Sequence, residues 1–283
     1  MKLTNKVAIV TAAGRGIGRS IALCLAEEGA DVVVNSYSED TTTRTAGDVQ
    51  ALGRRALAMP CDITKPDAIT HVVQETLNNL GKIDILVNNV GAGPKTWNTA
   101  DAGPLSRWID LWDNMYEQNL KAPVLMCEAV VPHMMEQKSG KIVNIASIAG
   151  RVALPLKLQK RVVPQSYSAM KAGLISYTQT LAERVGPHNI NVNCVCPGIV
   201  YTDDWADNST RMVNNIPEFQ GQDAREWFVG IAHGKYPDMF GSTPLGREQM
   251  VEDIGRAVVY FVSDDGLNIT GQTLNVDGGM VKN

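Results

Sequence analysis

Tyr167 and Lys171 stand four residues apart in the stretch YSAMK, and Ser147 lies upstream of them in NIAS. If residues 166–171 are helical, the two side chains share a face one turn apart. A lysine beside a phenol favours the phenolate and lowers its pKa. The chemistry such a set can do is proton transfer at a substrate oxygen. Hydride addition to a carbonyl builds negative charge on that oxygen, so hydroxyl donors aimed at it stabilise the transition state. An acid of tuned pKa then completes the alcohol. The hydride itself has to come from a cofactor, and no metal is required. A tyrosine and a lysine at this spacing also occur on ordinary helix faces, so the pair gains meaning only from the rest of the chain.

A place for the cofactor is legible near the N-terminus. TAAGRGIGRS (11–20) follows an apolar, β-branched run and opens a helical pattern. Gly14, Gly16 and Gly18 would let the backbone turn tightly and approach a pyrophosphate, whose charge meets a helix N-terminus. The second strand pattern ends VVVNSYSED, with Asn35, Ser36 and Tyr37 where an acid would bond the adenosine ribose. Arg15, inside the turn, could pair with a 2′-phosphate. The missing acid and the nearby cation favour NADP(H), with NAD(H) left open.

The elements that must position these residues alternate along the whole chain. Runs at 6–11, 31–35, 55–60, 83–89, 141–147, 190–197 and 272–279 read as strands, several continuously apolar as in parallel strands covered on both faces. Helical patterns such as GRSIALCLAEEG (18–29) separate them. The fold class expected is α/β: a doubly wound parallel sheet of Rossmann type, with residues 1–283 forming one domain. One excursion breaks the rhythm. Residues 201–245 hold Tyr201, Trp205, Phe219, Trp227, Phe228, Tyr236 and Phe240, seven of the sixteen aromatics. They read either as a helical lid over a substrate or as a small helical subdomain packed on the sheet or a neighbouring subunit.

Composition narrows the partners. A formal net charge of −4 and the lack of a long basic run argue against nucleic acid. No run of about 20 apolar residues predicts a membrane span, and the first apolar run leads into the glycine-rich turn rather than a cleavage site. The five cysteines form no CxxC and the four histidines no metal-ligand spacing, so a cytoplasmic, metal-independent protein with reduced thiols is expected.

Together these residues resemble the short-chain dehydrogenase/reductase family (SDR). Eight stretches match in order: the glycine turn at 11–18, CDIT at 61–64, NNVG at 88–91, QNLKAP at 118–123, NIAS at 144–147, YSAMK at 167–171, CPG at 196–198 and NVDGG at 275–279. The resemblance implies a hydride transfer between NAD(P)(H) and a small-molecule ketone or secondary alcohol, by a homotetramer. It makes Tyr167 the acid–base residue, with Lys171 lowering its pKa and bonding the nicotinamide ribose. Ser147 polarises the carbonyl, and Asn119 sits at a helix irregularity where its carbonyl holds a relaying water. Gly14, Arg15, Gly16, Ile17, Gly18, Ser36, Asp62, Ile63, Asn89, Pro197 and Gly198 are implied at the cofactor, with Asp62 on the adenine.

Other readings stay beside this one: an NAD-dependent secondary-alcohol dehydrogenase of a catabolic pathway, a nucleotide-binding regulator without catalysis, and a sugar-nucleotide epimerase, which would carry a C-terminal substrate domain. Ala12 stands where the family has its first glycine, and a small side chain at negative φ is expected to be tolerated. Val90 replaces an alanine. The spacing from Ser147 to Tyr167 is longer than the family's, and the extra residues are expected to loop out within 151–165. That segment carries Arg151, Lys157, Lys160 and Arg161 and no carboxylate. It reads either as a solvated loop or subunit contact, or as a funnel for an anionic substrate.

Overall fold

The computed structural model describes residues 1–91, 93, 104–241 and 243–282, apart from the Arg161 side chain. Its parallel strands are β1 (Val7–Val10), β2 (Asp31–Ser36), β3 (Ala56–Pro60), β4 (Ile85–Asn88), β5 (Gly140–Ile145), β6 (Ile190–Pro197) and β7 (Thr273–Val276). They lie in the order β3-β2-β1-β4-β5-β6-β7. Successive side chains of a strand point to opposite faces, and both faces here are covered. In β1, Ala8 and Val10 enter a core with Ile21, Leu25, Ile254 and Val258, while Val7 and Ile9 enter another with Val72, Met126 and Val185. This double coverage is why the strands read as unbroken apolar runs.

The helices of the first half are α1 (Gly16–Glu27), α2 (Glu39–Ala51), α3 (Pro66–Leu80), α4 (Leu105–Tyr116) and α5 (Ala122–Gln137). A π-helical turn, Glu117–Lys121, joins α4 to α5. Beyond them come α6 (Leu156–Arg161), α7 (Gln165–Val185), α8 (Asp203–Asn215), α9 (Ala224–Ala232), α10 (Pro237–Phe240) and α11 (Val251–Val262). Because every strand is parallel, the C-terminal ends of β1, β2, β4, β5 and β6 share one edge of the sheet. The order reverses at β1, which has β2 on one side and β4 on the other. Ligands of such sheets bind in the crevice at that reversal.

Two expectations need correction. The 151–165 segment is not simply looped out, because its middle forms α6. Leu158 of that helix is buried with Phe219, Phe228 and Phe240, and this burial repays ordering the insertion. Ala12 also departs from expectation, with a φ of +49° rather than a negative angle. Its carbonyl accepts from Asn89 Nδ2 at 3.2 Å, and Ala13 N donates to Asn35 O at 2.7 Å, so bonds on both sides hold the strained turn.

The cysteines are free thiols, four buried and Cys61 half-buried. Among the described residues no helix is long and apolar enough to cross a membrane. No group of three or more His, Cys, Asp or Glu side chains among them could hold a metal ion.

Candidate active site

The glycine turn is fastened to the end of β4. Thr11 Oγ1 accepts from the backbone N–H groups of Asn89 and Val90, both at 3.0 Å. Asn89 Nδ2 donates back to Thr11 O and Ala12 O at 3.3 and 3.2 Å. A methyl group on Gly18 would lie 2.2 Å from Ala12 O, and one on Gly14 would lie 2.5 Å from Thr41 Oγ1 and 2.9 Å from Ser36 Oγ. Gly14 and Gly18 thus permit close packing, whereas Gly16, at φ +55°, permits the turn itself. Arg15 caps α1 by position without a side-chain hydrogen bond, so no side chain of the cap covers the first N–H groups of the helix. Donors, glycines and an uncovered helix start fit a dinucleotide phosphate.

The other predicted cofactor residues sit around this turn with different orientations. Ser36 ends β2 beside Gly14. Asp62 accepts from Thr64 N and Oγ1 at 3.0 and 2.8 Å. The Ile63 side chain is buried in one core and the partly buried Ile17 side chain packs against the other. Pro197 ends β6, and Gly198 N donates to Val276 O at 3.0 Å. Arg15 is the surprise. Its guanidinium reaches across to α8, donating to Asp204 at 2.8 Å and Asp203 at 3.5 Å.

The four predicted catalytic residues come from three elements and converge. Asn119 is buried within the π turn. A methyl group on Gly91 would lie 2.5 Å from Asn119 Oδ1 and 3.0 Å from Lys171 Nζ. Lys171 Nζ donates to Ile145 O at 3.0 Å and lies 5.6 Å from the centre of the Tyr167 ring. Ser147, two residues past β5, accepts from Ala149 N at 3.1 Å, and its hydroxyl is near enough to the Tyr167 phenol to act on its pKa.

Beneath them runs a buried chain of polar groups. Asn88 Nδ2 donates to Asn144 Oδ1, and Asn144 Nδ2 to Thr178 Oγ1, each at 2.9 Å. Asn88 Nδ2 also reaches Pro123 O at 3.3 Å, just beyond the π turn. One network therefore ties β4, β5, α5 and α7, the elements that carry or adjoin the catalytic residues.

Burial sets the protonation states. It pushes the Tyr167 phenol up to about 12, against the opposing influence of the nearby Ser147 hydroxyl. It pushes Lys171 down to about 8. In this arrangement the lysine nitrogen is turned to the Ile145 carbonyl, and burial is the largest influence on the phenol.

Sequence reasoning missed two residues. A methyl group on Gly150 would lie 2.7 Å from the backbone of Lys171 and Ala172, so only glycine lets the turn after Ser147 press against α7. Thr202 lies over Gly16 and caps α8, its Oγ1 accepting from Trp205 N at 3.4 Å. The helix-start pattern TDDW was the signal for Thr202. Nothing local signals the contact of Gly150.

The aromatic side chains of the 201–245 excursion pack largely on one another. Trp227 stacks on Tyr236 with ring centres 5.4 Å apart and meets Phe240 and Phe219 at 5.7 and 5.4 Å. Leu154, Leu158, Val162 and Val163 of the insertion pack on the same cluster. The region is a helical unit with its own core. Lys157 of the basic segment faces Asp238 of that unit at 3.8 Å, so the fold supplies a carboxylate the segment lacks. The side chain of Arg161 lies outside the described residues.

Comparison with known proteins agrees with this geometry. A family model described as short chain dehydrogenase matches residues 6–212, and one described as Enoyl-(Acyl carrier protein) reductase matches residues 230–281. The chain is 34% identical to 3-oxoacyl-[acyl-carrier-protein] reductase FabG of Chlamydia trachomatis, over 98% of each chain. It is 33% identical to (2S)-[(R)-hydroxy(phenyl)methyl]succinyl-CoA dehydrogenase subunit BbsD of Thauera aromatica, over 99% of this chain and 98% of that one. L-sorbose reductase from Gluconobacter frateurii, solved with NADPH and L-sorbose, superposes with a TM-score of 0.85 at 28% identity over all of both chains. A 7α-hydroxysteroid dehydrogenase, solved with NADH and 7-oxo glycochenodeoxycholic acid, gives 0.80 at 29% identity, over 100% of this chain and 96% of that one.

Proposed function

Because the chain belongs to the short-chain dehydrogenase/reductase family of oxidoreductases acting on CH–OH groups, we propose that it moves a hydride between NADP(H) and a ketone or secondary alcohol. The substrate class is a simple carbonyl compound or a 3-oxoacyl thioester. The observation that carries this reading is the gathering of Tyr167, a buried Lys171 5.6 Å from its ring and a buried Asn119 beside the end of β5, where Ser147 lies. A phenol raised to about 12 stays protonated at neutral pH and can donate to the oxygen of a carbonyl being reduced. Ser147 supplies a second donor to that oxygen. Lys171 is close enough to its own pKa, about 8, to pass a proton on toward the bulged backbone at Asn119.

Gly14–Gly18, Ser36, Asp62, Asn89, Pro197 and Gly198 would hold the dinucleotide, and the nicotinamide, when bound, supplies the hydride. NADP(H) is favoured because β2 ends in Asn35 and Ser36 rather than an acid. A second reading, an NAD-dependent secondary-alcohol dehydrogenase, draws support from the engagement of Arg15 by Asp203 and Asp204. On this proposal residues 1–283 act as one Rossmann-type domain, assembled as a homotetramer in the cytoplasm.

The test is a panel of ketones and alcohols, each with NADPH, NADH and their oxidised forms, repeated with Tyr167→Phe. The variant should bind cofactor and unfold like wild type while kcat falls at least about a hundredfold. Turnover near the wild-type rate would remove Tyr167 as the acid.

A further inference from the structure

We infer that Asp203 and Asp204 limit the cofactor preference of this protein by occupying Arg15, the cation within the glycine turn; the inference rests on the NADP(H) reading above. Arg15 directly follows Gly14, whose Cα faces the Ser36 and Thr41 hydroxyls at the end of β2. That wall carries no acid to repel a 2′-phosphate. The acids stand instead on the opposite side, in the first turn of α8, and the guanidinium is bonded to them at 2.8 and 3.5 Å. Arg19, the next cation along α1, is engaged by Asp48 at 2.8 Å. A 2′-phosphate must therefore draw Arg15 away from two carboxylates.

The exchange is feasible because nothing locks the ion pairs. The Arg15 side chain is 52% exposed and those of Asp203 and Asp204 are 72% and 61% exposed, so water and salt screen the pairs. Both acids also have a second partner in the N-terminal dipole of α8, so they lose little when Arg15 leaves. A phosphate offers the guanidinium planar, two-point bonding and more charge than either carboxylate. Arg15 then has two alternative positions, and the two acids set the free-energy gap between them.

Calorimetric titration with 2′,5′-ADP and with 5′-AMP isolates the 2′-phosphate. Asp203→Asn/Asp204→Asn should tighten 2′,5′-ADP by about tenfold and leave 5′-AMP within about twofold, since the two ion pairs that hold Arg15 are removed. In an Arg15→Ala background the same two changes should shift 2′,5′-ADP by less than about twofold. No gain in the double variant, or a gain that persists undiminished without Arg15, overturns the inference. The two readings fail differently. If Arg15→Ala weakens 2′,5′-ADP while the asparagines do nothing, the NADP(H) reading stands and the role of the acids falls. If neither wild type nor any variant binds 2′,5′-ADP better than 5′-AMP, the NADP(H) reading fails first.

Discussion

Lys171 and Trp227 are almost equally buried, at 2% and 1% exposed, yet they are held by different forces. Lys171 belongs to the floor of the site, where polar groups from β4, β5, α5 and α7 are joined by directed bonds. Such a network fixes angles as well as distances, because its bonds are directional and join four elements. Trp227 belongs to the helical unit above, whose core is a set of aromatic contacts joined by Leu158 of the insertion. Its ties to the body include exposed ion pairs such as Arg15–Asp204. The candidate catalytic groups thus sit on a bonded polar floor, and the 201–245 unit has an apolar core of its own.

The comparison breaks most visibly at Trp227. Trp227→Ala should cost about 3–5 kcal/mol in chemical denaturation. Hydrogen exchange should show the loss first over 203–240 while the sheet amides stay protected. Uniform loss across the sheet would mean that the upper unit is not separately cored. Leu158→Ala tests whether the insertion belongs to that unit, at about 2–4 kcal/mol. It should raise exchange in α9 and α10 as well as α6, and raise KM more than it lowers kcat.

The floor has a pH signature. Burial holds Lys171 near 8, below its ordinary value of 10.5, so the cost of its buried charge is fully present below about pH 8. That cost is relieved as pH rises from there toward 10.5. Measured against Lys171→Met, wild-type stability should therefore improve between pH 7 and 10, on the order of 2 kcal/mol. Trp227→Phe removes no titrating group and should show no such slope.

Ala12→Gly is the smallest change. Relief of a left-handed alanine is worth about 1–2 kcal/mol, and the added freedom of the unfolded chain takes back up to about 1 kcal/mol. A net gain of about 0.5 kcal/mol, read from Tm, would sharpen the view of the turn as strained.

Much of this architecture was legible before any coordinates. The strand runs appear because a parallel strand buried on both faces must be apolar along its length, a demand each segment meets alone. The predicted β6 range, 190–197, is the observed one. The family's ordered motifs brought Asn119, Ser147, Tyr167 and Lys171 into one proposed group, and the structure places them around Gly91, β5 and α7. The irregularity expected at Asn119 is present as the π turn. Each of these signals is carried by residue type and short spacing.

What only the tertiary structure decided are quantities set by neighbours remote in the chain. Arg15 reads as a phosphate ligand until α8, nearly two hundred residues later, brings two carboxylates to it. Lys157 lies in a segment without acids until α10 presents Asp238. Burial raises the Tyr167 phenol, an effect that depends on everything packed around a group and not on its sequence neighbours. Even the φ of Ala12 is held by bonds to Asn35 of β2 and to Asn89 just past β4. Residue type and spacing specify which groups can act; the distant charges and the local dielectric, which exist only once the chain has folded, set how they are charged and what they hold.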